Sequence, residues 1–449
     1  MDEYTDYLLS GPPFELEFSP VDQVTPPVYS RRILIFSRHP EQDDAATVRA
    51  LQDGLQTTTN EIPILAGQMG YNPQLGWTIK PGVARLRIKS LHKNTLTFSE
   101  LELSDFDEAK LPADLVSSVP TLADPQEEWH ACRIQANFIQ GGLLLVVSIN
   151  HTTMDGYGIT KVIEALARNC RAAEHSPAPP TRISCLDRSR LSAIKLDNEG
   201  DINKLPAYSI VPASTQIPPP PPKIITKTFR HSIEELQFLK KNASPSSPEQ
   251  GVESWITTHD AVNAYWWTRH AQSRYNASLI NDNDTARFAF PVNFRQILTN
   301  LPQQYIGNAV LMTKVELPVR VLLSSQDGLR AAAAAIRAGV NAVDAAYVEN
   351  FIAVAKSITD YPDRGRLRIN MRLEKPETAF GSTSYKSFDH SGLGWDQTAI
   401  GKFERMRLAF GVTGEGMTIV LPVLKDGSWE VTVTAEEELM GEMDGDRIS

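Results

Sequence analysis

The 449-residue sequence is short of the features that mark several large protein classes. It has three cysteines and no CxxC pair, so neither a disulfide framework nor a cysteine-based zinc site is expected at Cys132, Cys170 and Cys185. No apolar run approaches the ~20 residues that a membrane-spanning helix needs. The acidic N-terminus lacks the basic and apolar regions of a secretory signal. We therefore expect a cytoplasmic protein without a membrane partner and without a bound metal.

An excess of basic residues is also missing. The formal net charge is -10, which argues against a nucleic-acid partner or an anionic membrane surface. What is present is an ordinary globular composition, with 41% hydrophobic and 22% charged residues. Since domains average roughly 150 residues, this length suggests two or three units, and we take two large lobes as the working picture.

Proline-rich stretches predict where the chain divides. Five consecutive prolines, Pro218 to Pro222, favour an extended linker, and "SPAPPTRIS" begins a second proline-rich stretch upstream. We predict an N-terminal lobe over 1–205, a crossover linker over 206–223 and a C-terminal lobe over 224–449. Strand and helix patterns alternate in both lobes, which indicates an α/β or α+β class. The last three strand-like runs, "RMRLAFGV", "GMTIVLPVL" and "SWEVTVTA", suggest one sheet.

The stretch "SINHTTMDGYG", residues 148–158, joins the clearest strand to the clearest helix. The apolar run "GGLLLVVSIN" predicts a buried strand, paired in a hairpin with the preceding "HACRIQANFI". After the turn, apolar residues recur with the period of an amphipathic helix at Ile159, Val162, Ile163, Leu166, Ala167 and Cys170. His151 is therefore delivered to a turn at the end of a strand.

Two interpretations of this turn stay open on its residues alone. A histidine fixed by a sheet and facing a cleft suits a general base with a neutral imidazole. Alternatively, His151 is an ordinary hydrogen-bonded turn residue and Asp155 is the N-cap of the next helix. Other nucleophile and nucleotide signatures are missing, since the sequence has no Walker A loop, no GxGxxG after a strand and no GxSxG elbow.

"HTTMDG" at the end of an apolar strand, in a chain with a central linker, resembles the HxxxD or BAHD acyltransferases. The similarity is greatest to the fungal branch that includes trichothecene acetyltransferases, and it runs over most of the chain. Four further segments look like motifs of that family: "FSPVDQ", "EIPILAGQM", "VNFRQ" and "YIGNAV".

The resemblance implies an α/β fold of two chloramphenicol-acetyltransferase-like lobes, with mixed sheets, flanking helices and a channel between them. Acyl-CoA would enter on one side as co-substrate and a small natural-product acceptor on the other, with no permanently bound cofactor and the chain a monomer. His151 would take the proton of the acceptor hydroxyl or amine, without an acyl-enzyme. Asp155 would pair with Arg295, and Gly156 would let the backbone bend.

The same resemblance proposes residues for the thioester side. Thr383 would donate to the oxyanion, and Ser384, Tyr385 and Asn308 would bind substrate or CoA. The family's Thr-Ser-Trp is "TSY" in this sequence, so its aromatic residue is Tyr385. An ordinary polar strand end is the alternative interpretation of this segment.

One family signature is degenerate in this sequence. DFGWG is replaced by "SGLGWDQT", with Gly392 at the Asp position and Asp396 at the last Gly. Trp395 would be its tryptophan and is predicted to bind substrate or CoA. This departure makes CoA binding less certain and motivates an alternative function, in which the channel and His151 serve a cyclisation, an isomerisation or ligand binding.

Two further alternatives concern the acyl donor and the aromatic residues. Condensation domains of peptide synthetases take the acyl group from a carrier protein, but they usually carry a second histidine where this sequence has Asn150. Trp266 and Trp267 are expected in the core rather than in the channel.

The favoured function is transfer of an acyl group, with acetyl among the candidates, from acyl-CoA to a hydroxyl or amine.

Overall fold

The computed structural model describes residues 4–72, 74–93, 96–120, 129–175, 186–194, 200–211, 223–245, 255–325, 327–358, 367–370, 375–409 and 414–444. The strands within these ranges are β1 (Tyr4–Ser10), β2 (Tyr29–Ser37), β3 (Gly67–Asn72), β4 (Gly76–Pro81), β5 (Val83–Ser90), β6 (Trp129–His130), β7 (Cys132–Ile139), β8 (Gly142–Asn150), β9 (Tyr208–Ile210), β10 (Ile224–His231), β11 (Thr285–Asn293), β12 (Val310–Pro318), β13 (Leu367–Ile369), β14 (Ala379–Ser384), β15 (Lys402–Leu408), β16 (Met417–Val420) and β17 (Trp429–Glu436). The helices are α1 (Pro20–Val24), α2 (Asp44–Glu61), α3 (Phe98–Leu103), α4 (Ala113–Val116), α5 (Gly156–His175), α6 (Ser189–Ser192), α7 (Ile233–Ala243), α8 (Thr258–Asn276), α9 (Val319–Leu322), α10 (Gly328–Asn341), α11 (Ala345–Ser357) and α12 (Glu437–Asp444).

The first lobe is built on a six-stranded mixed sheet in the order β1-β5-β7-β8-β2-β15. The pair β5 and β7 is parallel, and the other neighbours are antiparallel. The predicted hairpin is present as β7 and β8, and β8 is buried along its whole length because the sheet is covered on both faces. The long helices α2 and α5 pack against each other on one of these faces.

The helix after the turn at His151 follows its sequence pattern. The six apolar positions predicted to face the core of the first lobe are fully buried in α5, namely Ile159, Val162, Ile163, Leu166, Ala167 and Cys170. Their burial fixes the axis of α5 against the sheet, so the turn between β8 and α5 is anchored at both ends.

The second lobe has a six-stranded mixed sheet in the order β10-β17-β16-β14-β11-β12. Its central strand pairs, β16 with β14 and β14 with β11, are parallel. Helices α7, α8 and α10 share one hydrophobic cluster with this sheet, and Trp266 and Trp267 of α8 lie in that cluster as expected. The alanine-rich helix prediction is confirmed by α10.

The last three strands do not form one sheet, so that prediction is wrong in part. β16 and β17 pair in the second sheet, but β15 pairs antiparallel with β2 at the edge of the first. Trp395 and Ile400, just before β15, are buried in the hydrophobic core of the first lobe and carry the chain there. The sheet of the first lobe is therefore not built from residues 1–205 alone.

The crossover between the lobes is described only in pieces. Strand β9, in the predicted linker, pairs antiparallel with β13 in a small two-stranded sheet. The proline run Pro218 to Pro222 lies outside the described residues.

Candidate active site

His151 is the first residue after β8, and its backbone and ring face different surroundings. Its N–H donates to the carbonyl of Val28 at 2.7 Å, which fixes the start of the turn. The side chain is half-buried, and the buried ring nitrogen Nδ1 has no hydrogen-bond partner among the described residues. Nδ1 is thus on the buried side of the ring.

The surroundings of His151 favour the neutral imidazole. Burial lowers the pKa of His151 from its usual value, and the nearby Arg32 guanidinium acts in the same direction. The Asp155 carboxylate and the contacts with the residue's own carbonyl and with Asn308 oppose this shift without reversing it. A histidine that stays neutral at physiological pH is able to accept a proton.

The carboxylate of Asp155 lies at the other end of the turn, paired with a guanidinium from the second lobe. Arg295 donates from Nη1 at 2.8 Å and from Nη2 at 3.0 Å, and both side chains are almost completely buried. Asp155 also accepts from the backbone N–H groups of Tyr157, Gly158 and Ala309. This two-point ion pair joins the lobes and holds the first turn of α5.

Gly156 lies in a tightly packed position and does not have a positive φ angle. A Cβ atom placed there would lie 3.3 to 3.4 Å from Phe388, Arg32 and Tyr385. The first turn of α5 is therefore pressed against a segment that follows β14 in the second lobe.

Asn308 stabilises the turn through hydrogen bonds to its backbone. Its Nδ2 donates to the carbonyls of His151 at 2.9 Å and Thr152 at 3.0 Å, and also to the carboxylate of Asp22 at 2.8 Å. Asn308 is fully buried. Its Nδ2 therefore holds the backbone of the turn, whereas its Oδ1 is buried without a hydrogen-bond partner among the described residues.

A second buried ion pair supports the same turn. Asp22 lies 3.3 Å from Nε of Arg188, and both side chains are buried. Arg188 also donates from Nη2 to the carbonyl of Thr153. The opening motif "FSPVDQ", which supplies Asp22, is thereby tied to the histidine turn through one arginine and one asparagine.

Thr383 and Ser384 lie at the end of β14, beside a cavity of about 250 Å³. Ser384 accepts from the N–H of Lys386 at 3.3 Å, whereas the Thr383 hydroxyl makes no hydrogen bond within the described part of the chain. Asn293 lines the same cavity and accepts from Arg295, so the cavity is connected to the pair at Asp155. No contact among the described residues joins Thr383 directly to His151.

Comparison with known proteins identifies the family of this chain. The model of the Transferase family matches residues 11–447. The chain belongs to this family, the BAHD acyltransferases. Its fold resembles that of TRI101 from F. graminearum in complex with coenzyme A and deoxynivalenol, with a TM-score of 0.85, 20% identity and coverage of 97% of this chain and 98% of that chain. The expected two-lobe α/β fold is confirmed.

Two fungal relatives show how names vary among similar proteins. The chain is 34% identical over 449 residues to the enoyl-CoA isomerase/hydratase claC of Penicillium crustosum, covering 96% of this chain. It spans half the length of claC, with 50% of that protein covered. It is 24% identical over 486 residues to the O-acetyltransferase ptmV of Penicillium ochrochloron, with 98% of this chain and 97% of that protein covered.

The degenerate BAHD segment is part of the first lobe's core. Trp395 is fully buried and meets the ring of Phe36 edge to face, with centroids 5.3 Å apart. Its contact with substrate or CoA stays a prediction, and so does that of Asn308. Ser384 and Tyr385 remain the predicted ligand contacts on this side.

Three residues of this BAHD site were not found from the sequence. Asp22 lies in a motif that was noticed, but its contact with Asn308 joins positions 286 residues apart. No sequence motif near Arg188 or Arg32 predicts their contacts, because each contacts residues that are distant in the sequence.

The described residues offer no resident metal centre and no membrane helix. No group of three or more histidine, cysteine or acidic residues among them is placed to hold a metal ion. None of the described helices combines the length and the apolarity needed to cross a bilayer.

Proposed function

We propose that this protein transfers an acyl group from acyl-CoA to a hydroxyl or amine of a small natural product. The observation that carries the proposal is a half-buried, neutral imidazole at His151, on a turn held by the buried pair of Asp155 and Arg295. A base held in position gains rate because little reorganisation is needed when the proton moves.

The reaction proceeds in two steps on this proposal. Nε2 of His151 takes the proton of the acceptor O–H or N–H while that oxygen or nitrogen attacks the thioester carbonyl carbon. A tetrahedral intermediate with a negatively charged oxygen forms. The C–S bond then breaks, and the thiolate of CoA leaves with the proton that His151 carried. The products are the ester or amide and free CoA, and His151 is neutral again.

Thr383 is the proposed donor to the intermediate's oxygen. Its hydroxyl has no partner among the described residues and borders a cavity, so it is free to donate to a ligand. Donors directed at a developing oxyanion supply a large part of the rate in acyl transfer. Ser384 and Tyr385 follow it and are proposed to contact the substrate or CoA.

A route without an acyl-enzyme fits the cysteines that the structure describes. Cys132 and Cys170 are fully buried, and burial raises the pKa of the Cys132 thiol to about 12. A thiol in this state is a poor nucleophile. Direct attack by the acceptor is therefore the simpler route. Cys185 lies outside the described residues.

The donor and acceptor classes come from the relatives. TRI101 was crystallised with coenzyme A and the small molecule deoxynivalenol, and ptmV is named an O-acetyltransferase. We accordingly propose acyl-CoA as co-substrate, with acetyl-CoA the first donor to test. A cytoplasmic location and a monomeric state stay predictions from the sequence.

The test is release of CoA by the purified chain in the presence of short acyl-CoA esters and a panel of hydroxylated or amino natural products. CoA release must depend on the acceptor, and mass spectrometry must show the acylated product. His151→Ala should lower turnover by about two to four orders of magnitude with the fold intact, the usual loss for a general base. His39→Ala, at an exposed histidine, is the matched control and should retain the wild-type rate. Equal rates for wild type and His151→Ala would refute the base.

The donor could instead be an acylated carrier protein. The same assay distinguishes the two when the acyl group is offered on a carrier protein in place of free CoA. Use of the carrier alone would replace acyl-CoA as the donor in this proposal.

A second candidate function is favoured by the name of claC, an enoyl-CoA isomerase/hydratase. In it, His151 would move a proton within a CoA ester or another channel ligand rather than activate an acceptor. Incubation of the chain with an enoyl-CoA and no acceptor tests this candidate by chromatography of the thioester. We expect the enoyl-CoA to be recovered unchanged; isomerised or hydrated product formed by wild type and lost in His151→Ala would favour the second candidate.

A further inference from the structure

A buried cluster of charged side chains lies where the two lobes meet. Arg407 of β15 donates to the carboxylate of Glu430 on β17, from Nη1 at 2.7 Å and from Nη2 at 2.9 Å. Nε of Arg407 also lies 3.4 Å from the carboxyl group of Glu108, which follows α3 in the first lobe. All three side chains are buried. Two carboxyl groups therefore share one guanidinium in a place that water hardly reaches.

Acidic groups outnumber basic groups in this cluster. Arg405, the neighbouring arginine of β15, lies 3.8 Å from Glu430 and 3.5 Å from Asp105. Three carboxyl groups thus face two guanidiniums. Glu108 is the buried one without a guanidinium of its own, because Arg407 already forms a two-point pair with Glu430. An unbalanced buried negative charge is costly, and a carboxyl group avoids this cost by keeping its proton.

The hydrogen bonds of Glu108 suit a protonated carboxyl group. Its two oxygens lie 2.7 and 2.8 Å from the hydroxyl of Thr228 on β10. That hydroxyl lies 2.9 Å from the hydroxyl of Thr432 on β17, and either of the two is able to donate. A protonated Glu108 therefore donates to Thr228, whose hydroxyl then donates to Thr432. Burial, with a contribution from Glu430, raises the pKa of Glu108 above its usual value in spite of the attraction of Arg407.

The other charged groups near Glu108 do not supply a further cation. A cavity of about 530 Å³ borders the cluster. The other titratable side chains that line it are Asp105 and Asp107 in the loop after α3, Lys227, Arg230 and His231 on β10, Glu235 on α7, Tyr265 on α8 and Asp444 on α12. Lys227 pairs with Asp444, and Arg230 pairs with Asp426. In the described ranges of the chain, Arg407 is the one cation at ion-pair distance from Glu108.

The loop that carries Glu108 is strained and is held by the same guanidinium. Asp105 and Phe106 have positive φ angles of 50° and 60°, which residues with a side chain rarely adopt. Arg407 donates from Nη2 to the carbonyl of Asp105 at 3.0 Å and from Nε to the carbonyl of Phe106 at 2.7 Å. Loss of these contacts would let the loop leave its strained conformation.

We propose that Glu108 is a proton-dependent latch between the two lobes. With its proton, Glu108 joins its loop to β10 as a neutral hydrogen-bond donor, and Arg407 is left to Glu430 and to the loop carbonyls. Without the proton, a second buried carboxylate competes for Arg407, and the contact between the loop and β10 opens more readily. The latch uses none of the proposed catalytic residues, so it does not depend on the proposed function.

The experiment measures backbone hydrogen exchange of residues 104–110 and of β10 by mass spectrometry, between about pH 5 and about pH 8, where a raised carboxyl pKa lies. Glu108→Gln keeps the shape and the hydrogen bonding of a neutral carboxyl group but has no proton to lose. Glu102→Gln, at an exposed glutamate of α3, is the matched control. The wild-type rate is divided by the variant rate at each pH, which removes the intrinsic pH dependence of exchange.

Wild type should exchange faster than Glu108→Gln in both segments. The ratio of the two rates should grow with pH, by up to about tenfold per unit, until Glu108 is ionised. The sign follows from the raised folded-state pKa of Glu108: the stability that its proton provides is complete below the usual value of 4.5 and is lost as the pH rises through the folded-state value. Glu102→Gln should match wild type at every pH.

Three results would overturn the latch. A rate ratio that stays constant across pH would show that no proton is involved. Faster exchange in Glu108→Gln than in wild type would show that Glu108 acts as a charged partner of Arg407. A Glu108→Gln chain that does not fold would contradict the proposal as well, because the neutral form is the one that closes the contact. Since the measurement needs no turnover, a chain that transfers no acyl group would reject the proposed function and leave this inference standing.

Discussion

The turn after β8 and the segment after β14 both carry predicted site residues at the end of a buried strand, but their polar groups are held differently. Between His151 and Asp155, the backbone carbonyls and the carboxylate have partners in two buried ion pairs and one buried amide. At the end of β14, the Thr383 hydroxyl makes no hydrogen bond among the described residues and borders a cavity.

This difference indicates that the turn after β8 positions a base and that the end of β14 binds a group of the substrate. A base has to meet one proton at one distance, so a rigid turn suits it. Free donors beside a cavity suit a group that arrives with the substrate and then leaves. We therefore expect substitutions in the turn to damage both fold and rate, and substitutions near Thr383 to damage the rate alone.

The largest combined effect is expected from Asp155→Ala. The change leaves Arg295 buried without its carboxylate, which should cost about 3 to 5 kcal/mol in the free energy of unfolding. Turnover should fall strongly too, since the first turn of α5 loses its cap. Denaturant unfolding and CoA release measure the two losses.

The control for this variant is Asp327→Ala, which removes the exposed partner of Arg330. An exposed pair is worth about 0 to 1 kcal/mol, so its unfolding midpoint should hardly move. If Asp155→Ala unfolds at the same denaturant concentration as wild type, the ion pair does not hold the turn and the comparison fails.

A smaller and purely kinetic effect is expected from Thr383→Val. Loss of one oxyanion donor should lower kcat by about two to three orders of magnitude, whereas the free energy of unfolding should change little because the hydroxyl has no partner. Thr57→Val, at an exposed threonine of α2, is the matched control and should keep the wild-type kcat. A wild-type kcat for Thr383→Val would show that Thr383 is not the oxyanion donor.

The sequence was most informative where pattern and structure are local. The run into β8 and the helical spacing of α5 placed His151 at a strand end, and family resemblance proposed the pairing of Asp155 with Arg295 that the structure contains. The buried contacts of Asn308 and Trp395 were not accessible in this way, because a residue type does not show which side of a turn or sheet it faces.

Contacts between distant segments account for most of what was missed. A strand pattern does not identify its partner, so β15 could not be assigned to the first sheet from its residues. In the sequence, Arg32 is one of two adjacent arginines in a strand. The structure shows that Arg32 faces α5 and that Arg31 faces the opposite side of the sheet.

The pH dependence of kcat/KM for wild-type acyl transfer tests the central claim most directly. Burial holds the folded-state pKa of His151 below its usual value of about 6.5, so the neutral base persists as the pH falls through 6.5 and is lost only below it. The account predicts a constant rate above pH 6.5 and a single loss on the acid side. A rate that climbs with a midpoint above pH 6.5 would show that the imidazole is charged when free, and would contradict the account.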